Sequence, residues 1–74
     1  MKVIYVEWED ACTTRGWVDL EHEFTTMAIQ TVGYLINETD KSLTVGHSTS
    51  EYNTADPITI PKGWIKKRKY IKVS

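Results

Sequence analysis

Three tryptophans, four tyrosines and one run of four bases are the residues with the greatest chemical reach in this 74-residue sequence. Trp17 and Trp64 each stand beside a glycine, Gly16 and Gly63, and Tyr52 stands in a polar stretch, so these three rings are the ones expected at the surface. Tryptophan and tyrosine combine a flat stacking face with a polar tip, which suits both interfaces and nucleobases. Arg15 lies two residues before Trp17, and its planar fork can hold a phosphate through two hydrogen bonds. Lys66-Lys67-Arg68-Lys69 adds positive charge, and His47-Ser48-Thr49-Ser50 adds hydroxyls and an imidazole. Together Arg15, Trp17, His47, Ser48, Tyr52, Trp64, Lys66, Lys67, Arg68 and Lys69 have the chemistry to bind a small phosphorylated nucleotide. On a strand the basic run would divide, with Lys67 and Lys69 on the face of Ile65 and Ile71, and Lys66 and Arg68 on the face of Tyr70 and Lys72. The alternative role of these bases is structural: pairing with Glu7, Glu9 and Asp10 on a neighbouring strand, or guarding an exposed sheet edge.

Catalytic constellations are weaker. Cys12 with a histidine lacks a third residue to orient the base, and a small buried cysteine explains it better. Glu21-His22-Glu23 and His47 are the right types for metal ligation, but nothing in the spacing brings His47 to the other three. Glu7, Glu9 and Asp10 fit the outward face of a strand as well as they fit acid-base work, and no glycine loop is shaped to cradle phosphate. The expectation is a binding protein without catalytic residues, metal or cofactor.

Composition bounds what can position these groups. A chain of this length, 41% hydrophobic, supports one small core and a single domain over residues 1–74. The net charge of −1 excludes polyanion binding by bulk charge, leaving only local patches. Residues 1–37 carry six acids against two bases, and residues 38–74 carry seven bases against four acids, so the halves attract. There is no apolar run long enough to span a membrane and no apolar leader, which points to the cytoplasm. One cysteine cannot form an internal disulfide, so a chain this small is expected to gain stability by self-association.

Six valines, seven isoleucines and ten threonines against three leucines and three alanines favour strands. Residues 3–10 alternate, with Ile4, Val6 and Trp8 on one face. Residues 11–16 read as a loop, and Trp17, Leu20 and Phe24 at helical spacing after Asp19 predict a short helical turn in this first connector. Residues 27–37 read as a second strand with Val32, Tyr34 and Ile36 on its inward face. A turn over 38–41 leads to a third strand over 42–49, with Leu43, Val45 and His47 on one side. After a polar loop, Pro57-Ile58-Thr59-Ile60-Pro61 is a short fourth strand, Lys62-Gly63-Trp64 a tight turn, and residues 65–73 the last strand. Gly33 and Gly46 within strands mark bulges or bends. The expected core is Ile4, Val6, Trp8, Val32, Tyr34, Ile36, Leu43, Val45, Ile58 and Ile60.

Five short strands with a long first connector and a one-turn break before the last suggest a mostly β fold, a single five-stranded small barrel. The order of elements, with Pro61-Lys62-Gly63-Trp64 between the fourth and fifth strands, resembles the SH3-like and Sm-like barrels. Val6-Glu7-Trp8-Glu9-Asp10, Arg15-Gly16-Trp17, Thr31-Val32-Gly33-Tyr34 and Ile58-Thr59-Ile60-Pro61-Lys62 together resemble a family of short bacteriophage and prophage open reading frames. That resemblance covers nearly the whole chain, implies origin and fold, and brings no catalytic residue with it. It implies a non-enzymatic protein of an infected bacterial cell, one that counters host defence by sequestering a nucleotide-type ligand in a homo-oligomer. Binding of nucleic acid, or inhibition of a host protein by direct contact, is the alternative.

Overall fold

The computed structural model describes residues 1–11, 16–21, 23 and 25–72. The fold is a small, mostly β domain. Among the described residues seven strands run in order: β1 (Val3–Asp10), β2 (Met27–Glu38), β3 (Ser42–Gly46), β4 (Ser48–Thr49), β5 (Thr54–Ala55), β6 (Ile58–Pro61) and β7 (Ile65–Ile71). A 3-10 turn, Lys62–Trp64, joins β6 to β7. Five strands form one antiparallel sheet in the order β6-β3-β2-β1-β7, and β4 and β5 pair separately as a hairpin. The two edge strands of the large sheet are therefore consecutive in the chain. The sheet does not close into a hydrogen-bonded ring, since β6 and β7 do not pair with each other.

β1 is paired on both sides, with β2 and with β7, and its alternation is the cleanest in the chain. Ile4, Val6 and Trp8 point into the core with Leu43, Val45 and Ile60, and Ile29, Leu35 and Ile65 pack around these six. The Trp8 indole N–H donates to Thr31 Oγ1 at 3.0 Å, so its polar edge is satisfied while the ring is buried.

Several expectations are corrected. β2 has the opposite phase to the one its valine and tyrosine suggest: Ile29, Thr31 and Gly33 lie opposite Trp8, Val6 and Ile4, and Val32 is 56% exposed on the outer face. The inward face of β2 is small because β3 crosses close to it. A Cβ on Gly33 would lie 2.5 Å from the Gly46 carbonyl oxygen and 2.8 Å from Val45 Cγ1, so the crossing requires glycine. Tyr34 and Ile36 are only half-buried, and Ile58 is exposed at the edge.

The predicted third strand breaks at Gly46. Beyond it His47 is exposed, not inward, and the chain peels away into the β4–β5 hairpin, with the His47 N–H donating to the Ala55 carbonyl. The polar loop expected over 51–56 therefore contains β5.

The connector over 11–26 shows no helix among its described residues, only a turn at Leu20 and Glu21; Cys12, Thr13, Thr14, Arg15, His22 and Phe24 lie outside the described set.

Two bulges set side-chain directions. Between Glu7 and Trp8 the β1–β7 register slips, so that Lys67 faces Glu7 while Ile65 faces Trp8, and Lys66 is the extra residue. Ile65 thus turns to the core instead of sharing the face of Lys67 and Lys69. Between Leu35 and Asn37 the β2–β3 register slips likewise, with Ile36 extra, and Glu38 comes to lie opposite Leu43.

Trp8→Ala is expected to cost about 3–5 kcal/mol, the range for emptying a buried aromatic site. Gly33→Ala should cost about 1–3 kcal/mol through overpacking against the β3 backbone. Urea denaturation of both variants checks these values, and a Gly33→Ala protein as stable as the wild type would contradict the crossing described here.

Candidate functional site

The end of β1 and the start of β7 make one cleft. Trp64 closes the 3-10 turn and stacks on Trp8, with ring centroids 6.3 Å apart and planes inclined by 16°. Trp8 is held from behind by the core, so Trp64 has a rigid backing while 42% of its surface stays exposed. Glu9, Asp10, Ala11, Thr26, Gly63, Trp64 and Lys66 surround a cleft of about 290 Å³. Lys66 is aimed there by the β7 bulge, its Nζ 3.8 Å from Glu9 Oε1. The other Glu9 oxygen accepts from the Thr26 hydroxyl at 3.0 Å, and Asp10 Oδ1 accepts from the Ala11 N–H at 2.8 Å. The cleft thus offers one aromatic face, one ammonium and two oriented carboxylates. The carboxylates suit N–H or O–H donors of a ligand, the ammonium suits an anion, and the ring suits a planar group.

The other sequence-predicted binding residues are dispersed. Tyr34 pairs with Val3 on one side and Gly46 on the other, which puts His47, Ser48 and the β4–β5 hairpin at the opposite end of β1 from Trp64. Six residues of strand separate these ends, roughly 20 Å. In that hairpin the hydroxyls are largely engaged locally: Ser48 Oγ lies 3.2 Å from His47 Nδ1, Thr49 Oγ1 donates to the Ser50 carbonyl, and Thr54 Oγ1 donates to the Ser48 carbonyl. Tyr52 is exposed at its tip, and Trp17 is exposed in the connector. Arg15 lies outside the described residues.

The basic run divides further than alternation alone requires. Lys67 and Lys69 lie on the outer sheet face opposite Glu7 and Tyr5, Lys66 enters the cleft, and Arg68 turns to the inner side opposite Val6. The only member of the run in the predicted pairing with the β1 acids is Lys66, with Glu9; the Glu7 carboxylate instead accepts from the Tyr5 hydroxyl at 2.7 Å. That hydrogen bond, with some desolvation and the Glu7 charge, raises the Tyr5 phenol above its ordinary value.

Glu38 is the functional group that the sequence pattern hid. It reads as the first residue of a turn, and only the bulge at Ile36 aims it inward. There it accepts from Lys62 Nζ at 2.8 Å and from Arg68 Nη1 at 3.2 Å, tying the end of β2 to the 3-10 turn and to β7. Arg68 is therefore engaged in holding the fold. The hydrogen bonds from Lys62 and then from Arg68 hold the Glu38 carboxyl below its ordinary value.

No protein-family model, curated protein or solved structure matches this chain.

Among the described residues no three histidine, cysteine, aspartate or glutamate side chains gather to hold a metal, and no helix is long and apolar enough to cross a membrane. His22, part of the candidate metal set with Glu21, Glu23 and His47, lies outside those residues.

Glu38 also generates a pH prediction. Its lowered folded-state pKa favours folding where the carboxyl is ionised, and that contribution is lost as the pH falls through the folded value. The stability difference between wild type and Glu38→Gln should therefore be full at neutral pH and shrink below the ordinary carboxyl value of 4.5. Denaturant titrations between pH 7 and roughly pH 3 measure this difference; a constant gap would remove Glu38 from the clip.

Proposed function

We propose that this chain is a non-catalytic binding protein of bacteriophage type that captures a small nucleotide-type ligand and releases it unchanged. In this reading the fold is an SH3-like or Sm-like small barrel, supported by the topology: both sheet edges are consecutive strands joined by a single 3-10 turn. The phage origin, the cytoplasm of an infected bacterium as its place and the countering of bacterial defence rest on the sequence resemblance.

The observation that carries the ligand class is the backed, half-exposed Trp64 face with Lys66 on one wall and Glu9 and Asp10 on the other. A nucleobase stacks on the ring, its N–H edge or the ribose hydroxyls donate to the carboxylates, and Lys66 takes the phosphate, Arg15 being the further phosphate contact that the sequence suggests. A cleft of about 290 Å³ takes one ring system and not an entire nucleotide. The remainder of the ligand lies outside the single chain, so the complete site forms between copies in a homo-oligomer. The core of six buried hydrophobic residues among those described supports the same conclusion, because it is small for a 74-residue chain.

Nucleic acid fits less well. The run at 66–69 does not form one track, since its four side chains serve three different places.

Calorimetric titration with a panel of nucleotides, cyclic nucleotides and short single-stranded oligonucleotides tests the reading. The expected outcome is reversible binding of a small nucleotide that is recovered intact after heating. Trp64→Ala should weaken it by about 1–3 kcal/mol, the range for one lost base stack, and Arg15→Ala should weaken it as well. Affinity that grows with oligonucleotide length and falls steeply with salt would assign the chain to nucleic acid instead. A silent panel would redirect the search to a host protein, sought by pull-down from bacterial lysate.

A further inference from the structure

The connector and the outer face of the sheet both carry uncovered apolar side chains, and the charges beside them are opposite. In the connector Trp17 and Leu20 are 104% and 98% exposed, so neither touches the body of its own chain, and Val18 is exposed beside them. Asp19 and Glu21 alternate with these side chains. Tyr5, Lys67, Lys69 and Ile71 of the outer face, with Tyr70 and Lys72 at the free edge of β7, line a shallow groove of about 620 Å³. Val32 extends its apolar floor, facing Tyr5 across the β1–β2 ladder. Glu7 is the acid on this face, and it is already engaged by the Tyr5 hydroxyl. Among the described residues neither Asp19, Glu21, Lys67 nor Lys69 is in an ion pair.

We infer that the connector of one copy docks through Trp17, Val18 and Leu20 into the outer-face groove of a second copy, with Asp19 and Glu21 meeting Lys67 and Lys69. This rests on the self-association proposed above and is independent of the ligand. The apolar side chains supply the burial, and the alternating acids meet a lysine pair spaced by the same two-residue step on β7. In a single copy the connector does not occupy the groove, since Trp17 and Leu20 are exposed. The connector leaves β1 at Asp10 and returns at Met27, whereas the groove centres on Tyr5 and on Ile71, which pairs with Val3 at the far end of β1. Each copy carries one connector and one groove, so the exchange is satisfied by a reciprocal pair or a closed ring.

Sedimentation equilibrium of two charge-reversed variants, separately and mixed, tests this. Asp19→Lys with Glu21→Lys reverses the connector, and Lys67→Glu with Lys69→Glu reverses the groove. All four positions except Glu21 and Asp19 lie on a regular strand, and all four are exposed, so circular dichroism should show both variants folded. The wild type should sediment as a multiple of 8.5 kDa. Each variant alone should associate at least about tenfold more weakly, a loss of about 1.4 kcal/mol, because like charges then face one another. An equimolar mixture should recover wild-type association, since the lysine-bearing connector meets the glutamate-bearing groove while the native connector of the other variant meets a native groove. Variants that associate as well as the wild type, or a mixture no stronger than its components, would overturn the docking while leaving self-association through another surface standing. A wild type that stays at 8.5 kDa would overturn both.

Discussion

β6 and β7 are the two edges of the sheet and are also neighbours in the chain, separated only by Lys62–Trp64. A three-residue connection between opposite edges forces the intervening strands to curl, because a flat sheet would hold those edges four strand spacings apart, about 19 Å. Two interactions fasten the curl. Trp64 stacks on Trp8 at one side of the turn, and Glu38 binds Lys62 and Arg68 at the other. The glycines answer the same demand from within: a Cβ on Gly33 would collide with the β3 backbone at Gly46, and a Cβ on Gly46 would collide with Thr54 of β5 and Ile36 of β2.

The curl also determines what is left for binding. Among the described residues the core buries six hydrophobic side chains, too few to leave room for a ligand inside, so recognition groups lie on an end, an edge or the outer face. The fastening side chains and the recognition side chains are adjacent: Trp64 serves both, and Lys66 and Arg68 leave the same strand in different directions because of one bulge. This adjacency gives the cleft its rigid aromatic floor. The same economy leaves Trp17, Leu20 and Val32 uncovered in a single copy, and burial against another copy is the physical remedy for such exposure.

Much of this was legible in the sequence where periodicity and turn chemistry agree. Strand β1 occupies its expected residues, 3–10, the hairpin of β2 and β3 turns where Thr39 and Asp40 suggest, and the break at Lys62–Trp64 falls between the expected strands. The phase of β2 was not legible because the inward face holds Thr31 and Gly33, chosen for closeness of approach, while the more hydrophobic Val32 faces out. A single extra residue reverses every direction that follows it, so the bulges at Ile36 and Lys66 concealed both the inward Glu38 and the divided basic run. The two-residue strands β4 and β5 are too short to leave a periodic signature. The candidate site was half visible: Trp64 and Lys66 stood out by type, but Glu9, Asp10 and Thr26 became its walls only once β1, β2 and β7 were in register.

The three tryptophans occupy the three environments on which the account depends: Trp8 the core, Trp64 the cleft and Trp17 the connector. Their indole N–H signals in a proton–nitrogen NMR spectrum report these places separately in one experiment, recorded across a dilution series and then across a nucleotide titration. Trp17 is expected to shift with protein concentration and Trp64 with nucleotide, while Trp8, hydrogen-bonded to Thr31, moves least in both. Indole signals of Trp17 and Trp64 that stay fixed in both series would contradict this.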